Sequence, residues 1–275
     1  ISSSELIRYL ISSLDDIAWI FNIRADDGPE TPYAYSFAEI TESSAKLFLG
    51  EGAADEKLAE ILKAQGVETG IYSKNAFFEN ETEETIILDR RKISFNVYDH
   101  FKKAGARIID LKNPSEAMKG RKNPVELENA KNALLRDAVN VTRFMRWLKN
   151  KVAEAGEGSL LKNDDGSVMT EVTADDYLTS LRVKDEKFIE KSFATIVAYK
   201  ENGAMMHYQA KPGKCSEIRS EGMLLVDCGV QCIDGTTDIT RTFVLGPVSE
   251  EEKKAFTLTA VSMLRLANTR FLYGC

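Results

Sequence analysis

Apolar and polar positions alternate with two different textures along the chain. Over the first 113 residues, short apolar runs of strand length alternate with stretches of helical spacing. The pattern predicts an amphipathic helix over 5–14, a strand over 17–23 and β-like runs at 33–40 and 45–49. A helix over 56–64 follows, then a strand at 83–88, a helix ending at Lys103 and a closing strand at 106–110. Arg24 to Pro32 is turn-rich and carries two of the chain's six prolines. Such alternation implies a mixed α/β unit.

A polar, basic connector over 111–123 leads into the clearest helical signal. Asn123 is placed to cap it and Pro124 suits its first position. Leu127, Ala130, Leu134, Ala138, Val141, Met145, Leu148 and Val152 recur at steps of three and four, which predicts one buried stripe. Gly156 and Gly158 end it. A second helix is predicted from a cap at Thr173. A third starts at Ser249, whose Ser-Glu-Glu-Glu run is a capping box, and continues to Ala267. Between these helices the pattern changes to strands, at 193–199, 203–208, 222–229 and 238–245. The fold class is therefore α+β, with one domain over 1–113 and a second over 114–275.

Composition narrows the function classes. Lys and Arg number 36 against 43 Asp and Glu, a net charge of −7, and the basic residues are scattered. Nucleic acid is not the expected partner. No apolar run reaches the ~20 residues that span a bilayer, so no membrane is expected either. Four cysteines and two histidines make neither a disulfide framework nor a full zinc set, and reduced cytosolic thiols are expected. The sequons at Asn80 and Asn140 are read as chance matches, Asn140 falling inside a predicted helix.

The chemistry concentrates between Leu225 and Thr242. Asp227 ends an apolar strand, Asp238 begins the next, and Asp234-Gly235 between them is a hairpin signal. Antiparallel pairing across that turn would set the two carboxylates opposite each other, ~5 Å apart on one face. Two such groups repel unless they are otherwise paired, and a pair of divalent cations relieves the repulsion. They equally suit turn aspartates satisfied by backbone amides and Arg241. His207 lies in the predicted strand 203–208, either as a core histidine or as a substrate contact. His100 is read as a surface helix residue.

Asn202-Gly-x-x-x-His207-Tyr208, Leu225-x-Asp227-x-Gly229 and Asp238-Ile-Thr-Arg-Thr242, in this order, resemble the pita-bread metallopeptidases. These include Xaa-Pro aminopeptidase (aminopeptidase P), prolidase and the creatinase relatives. Asp234-Gly-Thr-Thr-Asp-Ile-Thr-Arg-Thr242 resembles above all the long, three-domain cytosolic type of aminopeptidase P. The likeness extends to residues 14–24, similar to the opening of that type's second domain, and to 122–137, similar to the start of its catalytic domain.

The resemblance implies a creatinase-like α/β second domain followed by the first half of a pita-bread catalytic domain. It implies two divalent metal ions, in aminopeptidase P usually Mn²⁺, with Asp227 as one ligand and Asp238 as a bridging one. It gives His207 a contact near the scissile carbonyl and the Thr240 hydroxyl the role of orienting a carboxylate ligand. The implied reaction releases the first residue of peptides with proline second, by attack of a hydroxide bridging the two metals. Cys228, where relatives commonly have a small residue, is expected to pack rather than react. Complete members carry three further ligands, one His and two Glu, beyond the region that Cys275 reaches. The chain by itself is accordingly expected to be an inactive part. For the whole protein the expectations are a cytoplasmic homodimer acting on peptides. Prolidase is the alternative enzyme, and a non-catalytic binding or scaffold protein the alternative of another class.

Overall fold

The structure is a computed structural model, and it describes residues 6–78 and 84–275. The sequon at Asn80 and the first residues of the predicted elements at 5–14 and 83–88 lie outside the described residues. The chain divides into two compact units, Ile1–Leu127 and Glu128–Cys275.

The first unit is built on β1 (Leu6–Ile11), α1 (Leu14–Phe21), β2 (Ser36–Ile40), β3 (Ala45–Leu49), α2 (Glu56–Ala64), β4 (Val67–Ile71), β5 (Glu84–Leu88), α3 (Phe95–Lys103), β6 (Arg107–Asp110) and α4 (Pro114–Lys119). Its six strands form one mixed sheet in the order β4-β3-β2-β1-β5-β6. Adjacent residues point to opposite faces, so Ile11, Leu47 and Leu49 join one apolar cluster while Leu10 and Phe48 join another. Both faces are therefore covered.

Two predicted elements here exchange types. The expected helix over 5–14 is strand β1, and the expected strand over 17–23 is helix α1. β1 lies inside the sheet, parallel to β5 and antiparallel to β2. Burial on both faces removes the alternation that marks a half-exposed strand. α1 follows Ser13, carries Asp15 and Asp16 in its first turn and ends at Asn22, which takes a left-handed conformation. β4 and α4 are additional to the sequence pattern. His100, expected on a helix surface, is half-buried on α3, its ring stacked on Phe78 at 3.8 Å. The Trp19 indole N–H donates to Glu126 at 3.0 Å.

α5 (Pro124–Glu154) begins with a reciprocal cap. The Asn123 carboxamide accepts from the Glu126 amide, and Glu126 accepts from the Asn123 amide. Its buried face differs from the predicted stripe. Ala133, Asp137, Asn140, Val141, Phe144, Trp147 and Leu148 are buried, whereas Leu127 and Leu134 are exposed. The stripe passes through Asp137 and Asn140 because the Arg182 guanidinium meets Asp137 in the interior. A search for apolar residues alone misses that face.

The second unit continues with α6 (Glu171–Arg182), β7 (Phe188–Lys191), β8 (Ile196–Tyr199), β9 (Met223–Cys228), β10 (Val230–Cys232), β11 (Gly235–Thr236), β12 (Ile239–Val244) and α7 (Glu250–Ala267). It holds two three-stranded sheets, β12-β9-β8 and β11-β10-β7. One apolar cluster, including Phe144, Leu148, Leu178, Val197, Leu224, Val226 and Phe243, joins α5 and α6 to the first of them. Trp147 stacks on Tyr177 at 3.9 Å and donates to Asp164. α6 is capped by Thr170, with Thr173 as the reciprocal residue inside the helix rather than the cap itself. None of the residues of α7 is buried. Among the described residues no helix is long and apolar enough to cross a membrane.

Candidate functional site

β9 and β12 pair antiparallel, and their register puts Thr240 opposite Asp227 and Ile239 opposite Cys228. Asp238 comes two residues before Thr240. The predicted direct opposition of the two aspartates is thus replaced by a diagonal one, typically ~7–8 Å. The cause is the connection between the strands. It forms a second hairpin, β10–β11, that pairs Cys232 with Gly235 and leaves Ile233-Asp234 as the turn. The face is still shared. Val226, Cys228 and Thr237 are buried, whereas Asp227 is half-buried and Asp238 and Thr240 are exposed, as alternation requires. The Thr240 hydroxyl donates to Asp227 Oδ1 at 2.7 Å.

Behind this face lies a buried ion pair. Arg182 Nε and Nη2 donate to the two oxygens of Asp137 at 2.7 and 2.9 Å, and both residues are 2% exposed. The same Asp137 accepts from the Thr237 hydroxyl at 2.6 Å, and that hydroxyl accepts from the Val230 amide. Arg182 also reaches Cys228 Sγ at 3.2 Å. One pair therefore holds the neighbours of both aspartates, Cys228 beside Asp227 and Thr237 beside Asp238. Burial pushes the Cys228 thiol up to about 11, outweighing Arg182, so it stays protonated at neutral pH. Gly229 completes the arrangement. A Cβ there would lie 2.1 Å from the Thr237 carbonyl oxygen, so only glycine lets the segments approach.

Asp234 is bound by Arg136 at 2.5 Å and Lys187 at 2.7 Å. Burial alone would raise its pKa, and these two cations more than offset it, holding the carboxyl below its usual range.

His207 is not on a strand. After β8 the chain makes a 3-10 turn over Lys200–Ala204, and His207 is exposed in the turn that follows, with φ at 55°. The predicted strand 203–208 fails because Tyr208 at its end and Asn202 just before it are claimed by a carboxylate the sequence pattern does not single out. Glu171, fully buried at the start of α6, accepts from the Tyr199 amide at 2.7 Å and Asn202 Nδ2 at 2.8 Å on one oxygen. Its other oxygen accepts from the Tyr208 hydroxyl at 2.6 Å and the Ser216 amide at 2.8 Å. Burial first, and the hydrogen bond to Glu171 second, hold the Tyr208 hydroxyl well above the ordinary tyrosine range. The only local signal for Glu171 is its place after the Thr170 cap, where a carboxylate is ordinarily solvated.

Carboxylate oxygens on one accessible face suit hard divalent cations, so Asp227 and Asp238 fit as metal ligands. Among the described residues no group of three or more His, Cys, Asp and Glu closes around an ion. By themselves the two aspartates would supply only part of a coordination sphere.

Both parts of the chain match known protein families. Residues 2–126 match the family model of the creatinase/prolidase N-terminal domain, and residues 128–270 that of metallopeptidase family M24. Aminopeptidase P1 of Arabidopsis thaliana is 30% identical over 302 aligned positions, covering 96% of this chain and 46% of that protein. A probable Xaa-Pro aminopeptidase P of Sclerotinia sclerotiorum is 34% identical, covering 91% of this chain and 41% of its own length. The chain spans less than half the length of these curated relatives. Among solved structures, the X-prolyl aminopeptidase of Caenorhabditis elegans, described as a cytosolic enzyme with a di-nuclear active site, has the same fold. Its TM-score is 0.77 at 23% identity, over 89% of this chain and 39% of that one. The prolidase of Pyrococcus horikoshii superposes with a TM-score of 0.64 at 19% identity, over 94% of this chain and 67% of its own.

Proposed function

This chain belongs to metallopeptidase family M24, and on that premise we propose that the protein is an Xaa-Pro aminopeptidase, releasing the first residue of peptides whose second residue is proline. The observation that carries the reading is the shared face of Asp227, Thr240 and Asp238 on the β9–β12 pair. Asp227 and Asp238 would hold two divalent ions, for which we propose Mn²⁺. When bound, these ions supply Lewis acidity and an activated water at the scissile carbonyl. Thr240 fixes the plane of the Asp227 carboxylate through its hydroxyl. His207, exposed at its turn, donates a hydrogen bond to the carbonyl oxygen as charge develops there. Cys228, buried and protonated, takes no part as a nucleophile. By the donors described, the 275 residues taken alone bind Mn²⁺ weakly and turn over no peptide. The same reading makes the whole protein a cytosolic homodimer.

The test uses the whole protein with Ala-Pro-Ala and Ala-Pro, first with chelator and then with Mn²⁺ restored. Cleavage of both peptides that is lost with chelator and regained with Mn²⁺ is expected. Cleavage of the dipeptide alone identifies a prolidase, and chelator-resistant cleavage overturns the metal reading. Asp238→Ala should lose metal and rate together. His207→Ala should keep its metal while kcat falls ~10²–10³-fold. Calorimetric titration of the 275-residue chain with Mn²⁺ checks the donor count, and micromolar two-site binding would refute it.

A further inference from the structure

A carboxylate at the first position of a helix ordinarily faces water. Glu171 instead is fully buried, and no Lys or Arg among the described residues pairs with it. Four donors surround it, and they come from three separate places in the chain. Tyr199 closes β8, Asn202 and Tyr208 bracket the turn, and Ser216 belongs to the following loop. Asn202 Nδ2 also lies 3.0 Å from both the Tyr208 hydroxyl and Ser216 Oγ, which ties the donors to one another. The Glu171 amide donates to the Ser216 carbonyl. Each carboxylate oxygen thus receives two hydrogen bonds, in a geometry that only an acceptor at both oxygens satisfies.

His207 follows directly from this arrangement. It precedes Tyr208, the residue whose hydroxyl Glu171 holds, and it has the left-handed backbone that non-glycine residues rarely adopt. Such a conformation persists when its surroundings over-determine it. Here both ends of the segment 202–208 are fixed to one side chain, so the carboxylate determines where the turn lies and where the imidazole is presented. From this we infer that Glu171 is a positioning residue for His207, acting through Asn202 and Tyr208 without itself touching substrate. The inference rests on the reading of His207 as a substrate contact only where rates are concerned, because the geometric claim holds for the chain whatever it cleaves.

The chain has two histidines, so its imidazole spectrum has two members. The experiment records imidazole ¹H–¹⁵N correlations of the 275-residue chain for the parent sequence, Glu171→Gln and Tyr208→Phe, with His207→Asn for assignment. In Glu171→Gln an amide NH₂ replaces one acceptor and must face two donors. The His207 signal should shift or split while His100, in the other unit, stays in place. Tyr208→Phe removes one arm and should give a smaller displacement in the same direction. If Glu171→Gln does not fold, Tyr208→Phe decides. Unchanged His207 signals in a folded variant overturn the inference. In the whole protein, Glu171→Gln should lower kcat ~10²-fold, the loss expected of a misplaced group, with KM altered little. Added to His207→Ala, it should cost almost nothing further. A full, additive loss in that background would show that Glu171 acts otherwise than through His207. A protein that cleaves no proline peptide would sink the proposed function and leave the imidazole result to stand or fall by itself.

Discussion

In the first unit the Arg8 guanidinium lies between two carboxylates, 2.6 Å from Glu39 and 2.8 Å from Glu84, and also donates to the Phe77 carbonyl. Its partners are on β2 and β5, the strands on either side of its own, so the group joins three strands inside a sheet covered on both faces. In the second unit Glu171 and the Asp137–Arg182 pair are equally buried, but their partners include residues next to candidate site residues: Tyr208, Thr237 and Cys228. The first arrangement secures strands that apolar packing already holds. The second secures an exposed turn and the start of a hairpin, both beside candidate site residues. Buried charge is a weak guide to stability. Its location relative to irregular backbone says more about its use.

The largest effect that would test this contrast is Arg8→Ala. It removes the buried guanidinium that both Glu39 and Glu84 hold and should cost about 3–5 kcal/mol by urea denaturation. If the contrast is right, the His207 imidazole signal stays where it is until the chain unfolds. Asp137→Asn is the counterpart in the second unit. It keeps the shape but weakens the bonds to Arg182, for about 1.5–3 kcal/mol. Here the Thr237 and Asp238 amide resonances should move in the folded protein. Unmoved resonances would place Asp137 with Arg8, as a group that serves the fold alone.

The smallest and most gradual effect is with pH. Asp89 is held down to about 2, first by Arg91 and against its own burial. Asp16, despite burial, is held lower still by Lys119, Ser13, Asn113 and Lys92. A depressed folded pKa stabilises the native state above the unfolded value of ~3.9, and that contribution disappears as pH falls through the folded value. The first unit should therefore keep its stability to about pH 4 and lose it progressively toward pH 2. Asp16→Asn should flatten the slope, and an unchanged slope would remove Asp16 from the account.

Legibility from sequence depends on how local each signal is, in both units alike. α2 and α7 match their predicted ranges because Asp55 and Ser249 are side-chain caps that announce themselves locally. β9 is legible because one of its faces is buried, and β12 because Ile239 and Phe243, near its two ends, pack on the same apolar cluster. β1 and α1 are misread because a strand buried on both sides and a short helix present similar apolar runs. The face of α5 is misread because its centre is Asp137, whose partner is 45 residues away. Of the site, Asp227, Asp238, Thr240 and His207 are singled out from local motifs. The register between the aspartates is not, since it depends on the inserted β10–β11 hairpin. Glu171 is invisible because its four partners assemble only in the folded chain.

The placement of the tryptophans has a practical consequence. There are two, Trp19 hydrogen-bonded to Glu126 and Trp147 stacked on Tyr177 and bonded to Asp164. One belongs to each unit, so the chain carries a built-in pair of optical labels. Replacing either with phenylalanine leaves a fluorophore that reports on one unit alone. Emission from Trp147 can then follow melting of the unit that carries Asp227 and Asp238 while the other stays spectroscopically silent, with no dye, tag or substrate added.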